Sequence, residues 1–179
     1  MSTLEKVIKN VGYYYALQKY KNYNLEKISF GKFIRESEDI LLILPDGDAE
    51  FRNSLEAVYM FTEMKKNVTL LLRDFRVSLV KRKSGVEFID YGIKDFTKLY
   101  LPTKTMLDKI VERKYNIVID LNLIEDIYAA VIVKSVKAKY KIGFKRGKTD
   151  VFYNLLLINN ENIPAFSYRN LLNSLQMFQ

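Results

Sequence analysis

The sequence predicts an α/β domain, a mostly parallel sheet sandwiched between two layers of helices, with a helical extension at its N-terminus. Three observations carry this. The aliphatic residues Ile40, Leu41, Leu42, Ile43 and Leu44 follow one another without a break, and a strand that cannot alternate must be covered on both faces. A second such run, Ile117-Val118-Ile119, repeats the pattern. Between them, segments with helical spacing alternate with short extended ones, the order that right-handed strand-helix-strand crossovers produce. A chain of 179 residues suits one domain, read as a helical extension over 1–38 and a layered domain over 39–179.

Taken in order, Leu4, Val7, Ile8, Val11 and Tyr15 recur at helical spacing among lysines, which predicts an amphipathic helix over 3–23. Its tyrosines and lysines suit either packing on the domain or a membrane headgroup layer. A short helix over 30–37 leads into the first strand. Pro45 ends that strand because it has no N–H for the ladder, and Gly47 permits a tight turn. Asp48 is placed as the N-cap of the next helix, which fills 53–66.

A strand over 68–72 follows, then a short helix over 74–83, where strand-like and helix-like spacings compete. A third strand covers 85–90, a helix 97–114 with Thr103 or Thr105 as its cap, a fourth strand 115–121 and an apolar helix 123–139. Strands at 140–144 and 151–158 and a helix at 167–178 close the chain.

Composition removes whole classes of chemistry. With no Cys and no His there is no thiol nucleophile, disulfide, imidazole base or Cys/His metal site, so no metal or cofactor is expected. Twenty-nine Lys and Arg against 21 Asp and Glu give a net charge of +8, which favours an anionic partner. No basic segment followed by an apolar core opens the chain, and no apolar run approaches the ~18 residues of a spanning helix. A cytoplasmic location is expected, with peripheral contact at the inner membrane surface through 3–23 as an alternative.

Candidate functional residues gather where strands end, because ligands of open α/β sheets bind beyond the carboxyl ends. Asp46, Asp48 and Glu50 cluster at the first strand-helix turn, where a carboxylate can act as a general base. Acids are also favoured at a helix N-terminus for electrostatic reasons alone, and they oppose phosphate there. Neither G-x-G-x-x-G nor G-x-x-x-x-G-K-[ST] occurs. Asp120 ends the fourth strand, as a polar group facing the crevice or as a cap or partner for a nearby Lys. Lys145, Arg146 and Lys148 surround Gly147 after the fifth strand, as contacts to a phosphate or sugar acid or as a solvated loop.

An aliphatic strand ending in a Pro-Asp-Gly-Asp turn, a later YNIVIDL, then YKIGF with basic residues and FYNLLL, over 40–48, 115–121 and 140–157, resembles the N-terminal domain of the heptosyltransferase-like glycosyltransferases of family 9. The resemblance implies a Rossmann-like, acceptor-side half of a GT-B enzyme, with Asp48 as catalytic base and Asp46, Asp120, Lys145, Arg146 and Lys148 near the acceptor. It also implies that the donor-binding domain is missing, so that the chain alone transfers sugar poorly and acts as a binding module or as a subunit completed by a second chain or a second copy. The acceptor would be an anionic glycan or phosphosugar. A receiver-like signalling domain built on IVIDLNL and a basic membrane-surface binder are the alternatives; nucleic acid is disfavoured because no recognition motif is present.

Overall fold

A computed structural model of the chain describes residues 3–20 and 28–179. Six strands, β1 (Asp39–Ile43), β2 (Asn67–Arg73), β3 (Val86–Tyr91), β4 (Ile117–Asp120), β5 (Tyr140–Phe144) and β6 (Leu155–Leu157), form one sheet in the order β3-β2-β1-β4-β5-β6. Every neighbouring pair is parallel. The helices are α1 (Thr3–Lys19), α2 (Phe33–Glu36), α3 (Asp48–Glu63), α4 (Lys104–Val111), α5 (Ile127–Ser135) and α6 (Pro164–Gln176). This is a three-layer Rossmann-like domain, as expected.

The unbroken aliphatic runs divide between the two faces. Ile40, Leu42, Leu44, Leu70 and Ile119 pack with Phe51 and Phe61 of α3 and Tyr168 and Leu171 of α6. Leu41, Ile43, Leu71 and Val118 pack with Met106 and Ile110 of α4 and with Ala129 and Val133 of α5. Because β1 and β4 are adjacent while the chain winds outward from them in opposite directions, a crevice opens at their carboxyl ends.

The described part of the extension packs into the domain. Phe33 and Ile34 of α2 are core residues. α1 lies against α5 and the 97–101 loop through Gly12 and Ala16, and Gly12 sits so close to the Leu99 carbonyl that a Cβ would collide with it. Leu4, Val7, Val11, Tyr14 and Tyr15 face outward. Lys21 and Tyr23, assigned to this helix from sequence, lie outside the described residues.

Several boundaries move for identifiable reasons. α3 starts at Asp48, and Gly47 rather than Asp48 is its N-cap; the Asp48 side chain makes no cap bond. α4 is shorter than expected because Pro102 lacks an N–H, so the helix begins after Thr103, whose Oγ1 accepts from the Met106 N–H at 3.3 Å. α5 starts late because Asp126 caps it, accepting from the Tyr128 and Ala129 N–H groups at 2.7 and 3.3 Å. The short helix expected after β2 is a 3-10 helix, Asp74–Leu79, and the extended segment expected over 151–158 opens as another, Lys148–Phe152, before β6.

Candidate functional site

All the sequence-predicted site residues follow β1, β4 or β5, so the parallel sheet brings them to one edge. It does not make them one constellation. Asp48 and Arg146 share that rim but belong to different clusters, Asp48 paired with Arg76 and Arg146 with Asp120.

The first cluster joins the β1 turn to the end of β2. Arg76 Nη2 donates to the Asp46 carbonyl oxygen at 2.5 Å and lies 2.6 Å from Asp48 Oδ1. Its guanidinium stacks on Phe51 and Phe75, with 4.7 and 5.1 Å to the ring centroids, which holds a cation in a largely apolar setting. The Asp48 side chain is 75% exposed. Asp46 sits more deeply. Tyr91 donates its hydroxyl to Asp46 Oδ1 at 3.3 Å, and Arg73 Nε approaches Oδ2 at 3.9 Å while its guanidinium packs among Phe75, Tyr91 and Phe96. Burial pushes the Asp46 carboxyl above the usual range and outweighs the opposing charge of Arg73. Burial likewise raises Glu50.

The second cluster joins β4 to the loop after β5. Asp120 Oδ2 accepts from Arg146 Nη2 at 2.7 Å and from the Tyr153 hydroxyl at 2.6 Å, and Oδ1 accepts from Asn122 N and Nδ2 at 3.0 and 2.7 Å. Arg146 Nη1 donates to the Asn122 carbonyl at 2.7 Å. The Asp120 and Arg146 side chains are 0% and 3% exposed. Burial alone would lower the Arg146 pKa, but the Asp120 carboxylate reverses the direction and holds the guanidinium charged. Gly143 makes room, since a Cβ there would meet the Tyr153 ring at 2.7 and 2.8 Å. Asp120 and Arg146 are therefore committed to each other. Lys145 and Lys148 remain at the surface, Lys148 Nζ lying 5.9 Å from the Tyr13 ring centroid.

α1 lines the rim between the clusters. Tyr13 donates its hydroxyl to the Glu125 carbonyl at 3.2 Å, and the Lys9 charge acts on both Asp46 and Asp126. Asp126 is pushed up by burial and then by the neighbouring Asp120 charge. Sequence reading missed Arg73, Arg76, Tyr91 and Lys9. The signal available was a cation closing a buried aliphatic run at Arg73, next to the strand that carries Asp46.

The net charge does not concentrate here. The helix-to-strand loops return to the amino edge of the sheet, and they carry Lys65 and Lys66, Lys81, Arg82 and Lys83, Arg113 and Lys114, and Lys137 and Lys139, with Glu38 and Glu112 as the acids among them. The rim that holds the clusters is rich in acids instead. Among the described residues no group of His, Cys, Asp or Glu is arranged to hold a metal ion, and no helix is long and apolar enough to cross a membrane.

A family model described as "Family of unknown function (DUF6913)" matches residues 13–172. The chain belongs to this family. No curated protein sequence matches it. Among solved structures, this DUF6913 chain is similar to "The crystal structure of the glycosyl transferase family 9 from Veillonella parvula DSM 2008", with a TM-score of 0.64 and 12% identity over 83% of this chain and 44% of that one. The likeness is one of fold, and the chain spans less than half of that protein's length. The receiver-like alternative fits poorly: receiver sheets run 2-1-3-4-5, and here Asp120 is sealed behind Arg146 and Tyr153.

Proposed function

We propose that the chain is a glycosyltransferase-like binding domain that takes a sugar-type ligand at the β1/β4 crevice, with transfer requiring a donor-binding unit beyond these 179 residues. The observation that carries the reading is the Asp46 carboxyl, half-buried at the switch point between the Tyr91 hydroxyl and Arg73, on a fold like that of a family 9 glycosyltransferase. A carboxylate beside an arginine, with aromatic rings around both, offers an acceptor and donors to a hydroxylated, anionic ring.

With a donor-bearing partner, the base comes from the Asp46/Asp48 pair. Asp48 has the position that the family resemblance implies, but it is exposed and paired with Arg76. Asp46, 55% exposed, stands beside the Tyr91 hydroxyl and Arg73, and partial burial raises its carboxyl above the usual range. Lys145 and Lys148 are the surface cations left to meet an acceptor phosphate.

Titration of the chain with glucose 6-phosphate and glucose, followed by amide chemical shifts, tests the binding. Shifts at 46–48, 73–76 and 91 that Asp46→Asn and Arg73→Gln abolish are expected; shifts indifferent to both substitutions refute the site. In a reconstituted two-chain transferase, Asp46→Asn and Asp48→Asn distinguish the two bases. Full activity in both variants removes the catalytic part of the proposal.

A further inference from the structure

The amino edge of the sheet, opposite the crevice, has a cleft of its own. A cavity of about 560 Å3 lies below the amino ends of β1, β2 and β3, within the size range of small-ligand pockets. Asn67 and Thr69 of β2 and the ring of Tyr115 form its polar wall, and Arg113 and Lys114 supply its cations. An adjoining cavity of about 520 Å3 adds Arg82 and Lys83, and Glu87 and Arg113 line both spaces.

Two acids at this edge, both lining the cavity, are already engaged. Glu87 pairs with Arg113, and Asp39 Oδ1 accepts from Asn67 Nδ2 at 3.1 Å. Arg82 and Lys114 are in no ion pair with an acid among the described residues. Two separate loops, one before β3 and one before β4, therefore aim guanidinium and ammonium groups at a single divided cleft. Its floor holds the buried Thr69 and, beside it, Tyr115.

We infer that this amino-edge cleft binds a phosphate-bearing ligand, with the phosphate between Arg113 and Lys114 and the attached group lying toward Thr69 and Tyr115. A guanidinium presents a planar fork that fits two phosphate oxygens, and an ammonium adds a point charge. The exposed Glu87 is a weak competitor, because an ion pair in solvent contributes little. This site is independent of the β1/β4 crevice and stands whether or not that crevice binds sugar.

The test uses the full chain and two sources of the same chemistry: glycerol 3-phosphate in solution, and phosphatidylglycerol vesicles with phosphatidylcholine vesicles as the neutral control. Glycerol 3-phosphate should shift the amides of Val68, Gly85, Arg113, Lys114 and Tyr115 with half-saturation at about 1 mM. The double variant Arg113→Gln/Lys114→Gln should weaken binding about tenfold or more. Lys137→Gln/Lys139→Gln, which removes equal charge elsewhere on the edge, should change it less than about twofold. Binding of phosphatidylglycerol vesicles as well identifies the source as a lipid headgroup, and binding of the soluble ester alone identifies a free phosphate compound. Equal loss in the two double variants, or shifts confined to the opposite edge, overturns the site.

Discussion

Replacing Arg146 by Met should remove a large share of the stability of the fold, and the geometry says why. Asp120 is wholly buried and accepts four hydrogen bonds, of which the one from Arg146 Nη2 also supplies the countercharge. Removing one partner of a buried pair leaves an uncompensated charge and typically costs about 3–5 kcal/mol. A domain has about 5–15 kcal/mol in all, so the loss is a large share. Urea unfolding at pH 7 reads it as a fall in midpoint without a change in slope.

The triple variant Asp120→Leu/Arg146→Met/Tyr153→Phe, which removes the charges and the hydroxyl together, should recover at least about half of the loss. A cost below about 1 kcal/mol for Arg146→Met would refute the view that this pair is a buried structural element.

Three further outcomes follow from contacts at other positions. Gly143→Ala should cost about 1–3 kcal/mol in urea unfolding, since its Cβ has to displace the Tyr153 ring. Gly12→Ala should loosen α1 from the Leu99 carbonyl and speed amide exchange in 3–20 more than in the strands. Lys141, which donates to the Lys134 carbonyl at 3.0 Å, has its pKa lowered to about 8 by burial first and the Lys134 charge second. Between about pH 8 and its ordinary value the unfolded chain binds more protons, so stability should rise with pH across that window. Lys141→Met should flatten the rise, and an unchanged profile would count against the burial.

The layers were legible because their cause is local. Residues buried on both faces leave an unbroken aliphatic run, and Ile40 to Leu44 and Ile117 to Ile119 show it without reference to anything distant. What failed to show was pairing across strands. Asp48 looks like a helix cap until Arg76, brought alongside by β2, takes its carboxylate. Arg146 looks like a solvated cation until β4 and β5 pair and set Asp120 beside it. The helix expected over 97–114 is cut short by a local cause, because Pro102 lacks an N–H and Thr103 caps the helix after it. The charge total was equally blind to place, because +8 says nothing about which end of the strands the lysines occupy.

The excess of cations in the loops at the amino edge makes the molecule an electric dipole along its strands. Near a negatively charged body such a dipole feels a torque that turns the lysine end inward before any contact forms. The Asp46 turn would then look away from that body, open to whatever arrives from bulk solution.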